Sequence, residues 1–385
     1  MKDGIAQRGR QWYYIVRVTD PETGKRKAQW VSRGPDGRRL RSKAEAKAAR
    51  DAARDRANRG ATVAATKITV REYLEAWQAG LAGQVRQSTA LSYRTHVRVH
   101  IAPALGQARL QELTAGQVKG FYADLLAKGL APNTVRRVAA TLHRALRDAV
   151  DEGYLLHNPA DKARPPSAAA DAPRDMQVWT PAELRAFLGH VRGERHYALW
   201  RLLAMTGMRR GEALGLRWGD IDMAARRVSV SRTLVTVGYE VSEGRPKTAR
   251  GRRVIDLDEA TVDALREQAA RQLDDHKACR ELWTDTGYVF TREDGQPLHP
   301  DFVSRTFEAL VAGAALKRIR LHDLRHTHAS HLLAAGVPAK VVSERLGHST
   351  VAFTMQVYQH TLPGQGEQAA SVAAALVADA ADRGA

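Results

Sequence analysis

A histidine and an arginine that could hold an anion lie at the start of one predicted helix. The stretch LHDLRHTHASHLLAAGVPAKVVSERLGHSTVAFTMQVY, residues 321–358, begins with a polar start and apolar residues near the 3.6-residue period of a helix. His322 and Arg325 are three residues apart, so they share the first turn. An amide-rich helix N-terminus beside an imidazole and a guanidinium is a place for an anion. His348, in a turn, and Tyr358, on a short helix, follow.

Zinc binding is the alternative for this stretch, which has four histidines within ten residues: His322, His326, His328 and His331. The first two have the i, i+4 spacing of metalloprotease helices. That pattern needs a glutamate after the first histidine, where this sequence has Asp323, and no third ligand is indicated. We therefore expect no metal here, and we expect His328 and His331 to pack against neighbouring leucines.

A second candidate segment, TGMRRGEALGLRW, lies upstream at residues 206–218. It places Arg209 in a turn between glycines that opens a new helix, with Glu212 three residues later. Stretches rich in β-forming residues follow, and Lys247 lies in the connection PKTARGRR between them.

With these two segments taken together, the sequence resembles the tyrosine recombinases, the phage-type integrases. The signature of that family is an arginine, a lysine, His-x-x-Arg, a histidine or tryptophan, and a tyrosine. The strings TGMRRGE, LHDLRHTHAS and LGHS are also similar to that family. The resemblance covers essentially the whole chain and implies a DNA-cutting enzyme without a cofactor. The sequence matches all six signature positions in order: Arg209, Lys247, His322, Arg325, His348 and Tyr358.

The chemistry of these residue types agrees with that resemblance. A phosphodiester attacked by an oxygen gains negative charge on its non-bridging oxygens, and an enzyme without a metal must supply the countercharge itself. Arginine stays charged and presents a rigid fork of donors that matches phosphate oxygens. Arg209 and Arg325 are therefore the predicted clamp.

The nucleophile and the leaving group each need a proton transfer. Only roughly one tyrosine in a thousand is ionised at pH 7, so Tyr358 needs a base, and His322 is the candidate. Lys247 is the candidate acid for the departing 5′ oxygen. His348 is expected to hydrogen-bond a non-bridging oxygen. Glu212 is expected to orient the pocket or His322, with a plain carboxylate at a helix start as the equal alternative.

The charge and composition of the chain point to a polyanionic partner. The 385 residues include 60 Lys and Arg against 42 Asp and Glu, which gives a net charge of +18 and a pI near 10.3. Cys279 is the only cysteine, so no intrachain disulfide can form and a reducing compartment is expected. With no signal-peptide pattern and no run of about 18 apolar residues, we expect no membrane segment.

Residues 1–60 are predicted to form a small basic unit with 17 Lys and Arg against 7 Asp and Glu. Gln11–Thr19 reads as a strand and residues 27–33 as a second. Ser42 with Glu45 makes a capping box for a helix that ends at Gly60. The unit resembles the arm-type DNA-binding domains of larger integrases. Its predicted DNA contacts are Lys25, Arg26 and Lys27, while three aromatic residues are expected to seat the sheet on the helix: Trp12, Tyr14 and Trp30.

Residues 66–160 are predicted to form a helical domain that resembles the SAM-like core-binding domain of the family. Its longest helix, 133–152, has one apolar stripe: Val135, Val138, Leu142, Leu146 and Val150. The arginines that lie largely off this stripe are predicted to contact DNA: Arg136, Arg137, Arg144 and Arg147. A plain helical bundle with a basic solvent face is the alternative.

The remainder is predicted as a linker at 161–178, a catalytic domain at 179–365 and a tail helix at 366–385. The linker is rich in Pro and Ala, and Thr180, Pro181 and Glu183 start the first catalytic helix. The tail is expected to dock on a neighbouring protomer. The predicted fold class is multidomain and mainly α, with small β-sheets: an N-terminal sheet with a helix, a helical domain, and a catalytic domain of helices and β-hairpins.

The resemblance implies a site-specific recombinase that integrates, and excises, a phage or mobile element through a 3′-phosphotyrosine. Its expected partners are double-stranded DNA attachment sites, three further copies of the chain in a homotetramer on DNA, and an excisionase or DNA-bending protein. The expected location is the bacterial cytoplasm, at the nucleoid. The alternatives are a type IB topoisomerase and a DNA-binding regulator without catalysis; a covalent protein–DNA adduct would exclude the regulator.

Strand cleavage is predicted to need no metal, because two arginines and a lysine already provide the countercharge and the proton. Cleavage of a nicked DNA site should continue in excess EDTA, followed as the covalent adduct on a denaturing gel. A magnesium-dependent restriction enzyme in the same buffer is the control and should stop. Strict dependence of the adduct on magnesium would contradict this mechanism.

Overall fold

The structure is a computed structural model that describes residues 4–9, 11–19, 26–34, 38–58, 66–167, 177–238, 240–244, 251–348, 350–358, 370–371 and 374–375. The chain divides into two compact units, Met1–Arg174 and Asp175–Ala385. The boundary falls within the predicted linker at 161–178. No helix in the described ranges is long and apolar enough to span a lipid bilayer.

The N-terminal part is a three-stranded antiparallel sheet with one helix. Its strands are β1 (Ile5–Arg8), β2 (Gln11–Thr19) and β3 (Arg26–Val31), in the order β1-β2-β3, and its helix is α1 (Lys43–Asn58). One half of the predicted capping box is present, because the backbone N–H of Glu45 donates to Ser42 Oγ at 3.1 Å. The Glu45 carboxylate accepts from the backbone N–H of Arg41 at 2.7 Å, one residue before the position that a capping box requires.

The small core of this part contains Tyr14, Leu40, Ala46 and Ala49, with Trp12 packed at its edge. Trp30 was expected in the same core, and that expectation is wrong. It is exposed, and the Arg8 guanidinium lies 4.6 Å from its ring centroid. The reason is strand alternation, since Trp30 pairs with Ile15 next to Tyr14, and neighbouring residues of a strand point to opposite faces.

The rest of the first unit is helical. The helices are α2 (Val70–Gly80), α3 (Gln87–His96), a π-helical turn (Val97–Ile101), α4 (Ala102–Leu105), α5 (Ala115–Ala127) and α6 (Pro132–Asp151), with 3-10 turns at Leu110–Glu112 and Pro159–Lys162. Complete capping boxes begin α2 at Thr69 and α5 at Thr114.

Helix α6 is the centre of this helical core. The predicted stripe is confirmed: Val135, Val138, Leu142 and Leu146 are buried, and Val150 packs against the same core partly buried. Residues from α2, α5 and the π-helical turn complete the cluster. Tyr73 of α2 donates from its hydroxyl to the Ala145 carbonyl at 3.0 Å, which ties the first helix to the last.

The second unit surrounds small antiparallel sheets with helices. Its strands are β4 (Ile221–Asp222), β5 (Arg227–Val230), β6 (Thr233–Val237), β7 (Glu240–Gly244) and β8 (Arg253–Asp256), arranged as a sheet β4-β5-β8 and a hairpin β6-β7. Its helices are α7 (Pro181–His190), α8 (Tyr197–Thr206), α9 (Arg210–Leu214), α10 (Glu259–Cys279), α11 (Pro300–Gly313), α12 (Asp323–Ala334), α13 (Ala339–Leu346) and α14 (Val351–Tyr358). Short 3-10 turns lie at Trp218–Asp220 and Arg280–Leu282.

Helix α8 is buried almost all round and organises this unit, because α7, α9, α10 and α12 all pack against it. Trp179 anchors α12 from the other side. Its backbone N–H donates to Thr327 Oγ1 at 3.2 Å, its indole N–H donates to the Lys317 carbonyl at 2.8 Å, and its carbonyl pairs with the His331 ring at 2.8 Å. These bonds fix α12 against the segment that precedes α7.

Truncation of the α6 stripe should destabilise the first unit. Leu142→Ala removes a fully buried side chain and should lower the free energy of unfolding by about 2–5 kcal/mol. The matched control is Leu126→Ala on α5, where the side chain is exposed and little should change. Urea denaturation followed by circular dichroism measures both; equal effects of the two substitutions would refute the core assignment.

Candidate active site

The connection from α8 to α9 places the first predicted arginine. Gly207 ends α8 with φ 64°, a left-handed conformation that suits glycine, and Arg209 stands at the N-cap of α9. A β-carbon on Gly207 would lie 2.6 Å from Leu346 Cδ2 and 2.8 Å from His328 Cδ2. The tight turn therefore brings the start of α9 against α12 and α13. The Arg209 side chain remains 42% exposed, so a ligand can reach it.

Glu212 is a buried carboxylate between two arginines. Its Oε1 accepts from Arg209 Nη1 at 2.7 Å, and its Oε2 accepts from the Arg209 backbone N–H at 3.0 Å and from Arg253 Nη2 at 2.8 Å. Burial raises the pKa of Glu212, but the hydrogen bond and charge of Arg253, and then Arg209, lower it overall. Glu212 stays ionised and orients Arg209, so its described hydrogen bonds favour the pocket-orienting role over contact with His322.

The second predicted arginine, Arg325, is buried on the first turn of α12. Its Nη1 donates to the Gly207 carbonyl at 2.8 Å, two residues before Arg209. The same short connection therefore holds both guanidiniums. Their like charges repel, so this arrangement is suited to an anion that both can contact.

His322 stands at the N-cap of α12, with its ring perpendicular to that of His326 at a centroid distance of 5.2 Å. The residue keeps an exposed side. Partial burial, and then the charges of His326, Arg325 and Arg209, lower the pKa of His322 to about 4. At pH 7 its imidazole is therefore neutral and can accept a proton.

His348 follows Gly347, which ends α13 with φ 69°. The ring is buried, and its Nδ1 lies 2.7 Å from Thr354 Oγ1 on α14. Burial, and then the charges of Arg325 and Arg209, lower the pKa of His348 to about 3. The Gly347 carbonyl lies 3.4 Å from Arg209 Nη2. The two arginines thus act on both predicted active-site histidines, and the structure brings these four residues together.

The other histidines of α12 have structural positions. His328 is buried and its Nε2 accepts from Arg345 Nε at 3.2 Å, while burial and then Arg345 lower its pKa to about 3. His331 bonds to the Trp179 carbonyl rather than packing only on leucines. Among the described residues, no three His, Cys, Asp or Glu side chains are grouped as metal ligands would be.

Comparisons with known proteins agree with this geometry. A profile of the phage integrase family matches residues 177–364, and one of the phage integrase N-terminal SAM-like domain matches residues 69–126. The integrase of Mycobacterium phage D29 is 31% identical over 80% of this chain and 78% of its own length. The chain belongs to the phage integrase family.

Two further similarities extend over most of the chain. A tyrosine recombinase XerC-like protein of Caldanaerobacter subterraneus subsp. tengcongensis is 27% identical over 94% of this chain and 96% of its own length. The solved structure of the Tn1549 transposon integrase in complex with transposon right end DNA is 25% identical and covers 76% of this chain and 95% of that chain, with a TM-score of 0.64.

Membership of this family confirms three predictions from the sequence: the resemblance to tyrosine recombinases, the mainly helical fold class with small antiparallel sheets, and the enzyme class. The chain is a site-specific recombinase, an enzyme that cuts and rejoins DNA. This conclusion selects the recombinase over the topoisomerase and over the regulator without catalysis.

Several predicted site residues of this integrase fall outside the described residues. Lys247 and Lys25 are among them, as is most of the predicted tail helix at 366–385. For Arg26 and Lys27 the structure describes the backbone of β3, and for Tyr358 the backbone at the last turn of α14, without their side chains. The roles of these residues stay predictions.

The predicted DNA-binding arginines of α6 lie away from its buried stripe but differ in their partners. Arg136 donates to the Ser167 carbonyl at 3.0 Å, and Arg137 is exposed. Arg144 lies 3.7 Å from Asp148, and Arg147 lies 3.6 Å from Asp151 in an exposed pair. Contact of these four with DNA stays a prediction.

Sequence reasoning missed Arg253, the second partner of Glu212. In the sequence it stands beside Arg252, and charge alone does not distinguish the two. Strand alternation could have done so, because Arg253 shares a face of β8 with Ile255, which is buried, whereas Val254 is 59% exposed. A basic residue in phase with the apolar positions of a strand indicates an inward-pointing charge.

Substitution of Gly207 should disturb the site more than the fold. Gly207→Ala adds a methyl group that meets Leu346 and His328 at a positive φ, so the turn must shift and move Arg209 and the carbonyl that Arg325 binds. We expect slower formation of the covalent DNA adduct, by about 10²-fold, and a modest loss of stability. The matched control is Gly193→Ala, where a β-carbon meets nothing within 4 Å. An unchanged rate in Gly207→Ala would contradict this account of the turn.

Proposed function

We propose that this integrase inserts a phage or other mobile element into a bacterial chromosome, and excises it, through a 3′-phosphotyrosine on Tyr358. The observation that carries the proposal is the convergence of Arg209 and Arg325 on the connection after α8, with His322 and His348 both within their electrostatic influence. Two fixed cations with two neutral imidazoles match the needs of phosphoryl transfer.

The two arginines bind the scissile phosphate and stabilise the charge that develops on it. Glu212 holds Arg209 before DNA arrives, and the Gly207 carbonyl holds Arg325. Because these partners fix the guanidiniums in advance, little reorganisation is needed when the five-coordinate state forms. Their contribution is larger in the transition state than in the bound ground state.

His322 accepts the proton of Tyr358 during attack. In the free protein the imidazole is neutral because burial, and then nearby positive charge, lower its pKa. A bound phosphate adds negative charge beside the ring and raises that pKa, so the imidazole becomes a better base when substrate is present. On reversal the same imidazole returns the proton.

His348 donates a hydrogen bond to a non-bridging oxygen. The Thr354 hydroxyl, 2.7 Å from Nδ1, can donate to that nitrogen and thereby place the ring hydrogen on Nε2. This tautomer supplies a neutral donor at pH 7, consistent with a pKa of about 3. Lys247 protonates the leaving 5′ oxygen.

DNA attachment sites are the substrate, and the first unit binds them. The predicted contacts are the arginines of α6 (Arg136, Arg137, Arg144, Arg147) for the core site and Lys25, Arg26 and Lys27 of residues 1–60 for a separate arm site. Phosphate contacts of this kind make binding strongly dependent on salt. An excisionase or a DNA-bending protein would set the direction of the reaction.

Recombination between two duplexes breaks and rejoins four strands. Each strand needs one tyrosine nucleophile, because the phosphotyrosine occupies that residue until the strand is resealed. We therefore propose a homotetramer on DNA, with the 366–385 tail docked on the neighbouring protomer. The energy of each phosphodiester is kept in the covalent bond, so no ATP is required. The expected place of action is the nucleoid in the bacterial cytoplasm.

Replacement of the nucleophile should separate binding from chemistry. Tyr358→Phe removes one hydroxyl and keeps the ring, so DNA affinity should change little while the covalent adduct disappears. Arg325→Ala removes a phosphate contact and transition-state stabilisation, so binding should weaken modestly and cleavage severely. The measurement is a denaturing gel with a DNA site nicked near the scissile phosphate, which traps the adduct.

The wild-type chain on the same nicked site is the positive control, and a DNA of unrelated sequence is the negative control. Mass spectrometry of the digested wild-type adduct identifies the modified residue. An adduct in Tyr358→Phe would mean that another tyrosine is the nucleophile, and it would refute the assignment.

A further inference from the structure

Arg253 is a buried arginine with hydrogen bonds to three separate parts of the catalytic unit. Its side chain is 7% exposed. Nη2 donates to Glu212 Oε2 at 2.8 Å, Nε donates to the Arg345 carbonyl at 2.6 Å, and Nη1 donates to the Gly251 carbonyl at 3.1 Å. A buried guanidinium is costly unless it is paired and hydrogen-bonded, and here all three of its nitrogens donate.

The partners of Arg253 are the groups that hold predicted catalytic residues. Glu212 binds both the backbone and the guanidinium of Arg209. Arg345 is near the end of α13, three residues before His348. Arg253 therefore connects the start of α9 to the end of α13 through one planar guanidinium group. A longer hydrogen bond also joins these two ends, from Arg209 Nη2 to the Gly347 carbonyl at 3.4 Å.

The strand that carries Arg253 has its own support. The backbone of Arg253 is paired with Val230 in the β5-β8 ladder, and Ile255 fills the core beneath. A change of the Arg253 side chain therefore leaves the ladder in place. What it removes is the connection that Arg253 makes between Glu212 on α9 and the Arg345 carbonyl on α13.

We propose that Arg253 is a positioning residue for strand cleavage: it fixes Arg209 through Glu212 and the turn of His348 through the Arg345 carbonyl, so that both face one phosphate. The inference rests on the proposed function. It assigns Arg253 no direct contact with DNA. Loss of the residue should therefore slow the chemical step and leave DNA affinity nearly unchanged.

Three variants of the full chain test the proposal. Arg253→Met keeps much of the side-chain length and removes every donor. Arg253→Lys keeps the charge beside Glu212 but cannot donate to Glu212 and to the Arg345 carbonyl with the geometry of a guanidinium fork. Arg252→Met is the matched control, since Arg252 is the neighbouring, exposed arginine. Each is assayed for DNA affinity by gel shift and for the single-turnover rate of adduct formation at saturating nicked DNA.

Arg253→Met should lower the adduct rate by about 10²-fold, the scale expected when catalytic groups are displaced by about 1 Å, with DNA affinity close to wild type. The adduct rate of Arg253→Lys should lie between those of Arg253→Met and the wild type. Arg252→Met should form the adduct at the wild-type rate. A wild-type rate in Arg253→Met, or a loss of rate fully explained by weaker binding, would overturn the proposal.

The pH profile separates positioning from a merely structural role. The charged groups that act on Glu212 are Arg253 and Arg209, and burial opposes them. Without Arg253 the pKa of Glu212 should rise, so the adduct rate of Arg253→Met should decline further as the pH falls toward about 5, whereas Arg253→Lys should lack this added decline. Added guanidinium ion should partly restore the rate of Arg253→Met at neutral pH.

Folding of each variant is checked by circular dichroism and thermal melting. Should Arg253→Met fail to fold, Arg253→Lys decides the question, and a wild-type rate in that variant overturns the proposal. A reduced rate with the wild-type pH profile and no rescue by guanidinium also overturns it. A failure of the proposed function gives a different result: the wild-type chain itself would form no adduct at Tyr358.

Discussion

The catalytic unit must hold several mutually repelling arginines close together before an anionic substrate is bound. The rest of the site depends on how the structure meets this constraint. Arg209, Arg253 and Arg325 converge on the α8–α9 connection and the turn after α13, where they repel one another. Glu212 is the internal counter-anion of this cluster, since it binds two of the three and is itself buried. Three donors bind its carboxylate, and the Arg209 side chain still remains partly exposed.

Burial and the same positive charges keep two histidines of the site neutral. His322 and His348 have low pKa values because burial and nearby arginines disfavour a further positive charge. One consequence is chemical: a neutral imidazole can act as a base or as a neutral donor, whereas an imidazolium could only donate. A second is electrostatic: under the proposed function, a bound phosphate adds negative charge beside the two rings and raises these pKa values. In this proposal, substrate binding prepares the imidazole of His322 to accept a proton.

The first unit handles its charge differently. On α6, Arg147 and Asp151 form an exposed pair, whereas Arg144 lies beside Asp148, which is half-buried and also accepts from the Trp77 indole N–H. Exposed pairs of this kind contribute about 0–1 kcal/mol, so a DNA phosphate could replace the carboxylates at small cost. Such pairing limits self-repulsion in the free protein while keeping the surface available. By contrast, Arg325 and Arg253 in the second unit are buried and cannot be exchanged in this way.

The sequence by itself determined the family, the mainly helical class, the stripe of α6 and the stretches that carry the catalytic signature, because these depend on local periodicity and on motifs of fixed spacing. Only the tertiary structure decided that the inward-pointing Arg253 binds Glu212, that Trp30 lies outside the small N-terminal core, and that Arg325 is held by the Gly207 carbonyl. These facts concern pairs of residues 41 and 118 positions apart, or the face to which a strand side chain points. Such pairings arise from packing of α12 and β8 against a shared core, and hydrophobic burial, which drives that packing, carries no local signal of which polar atoms it will bring together.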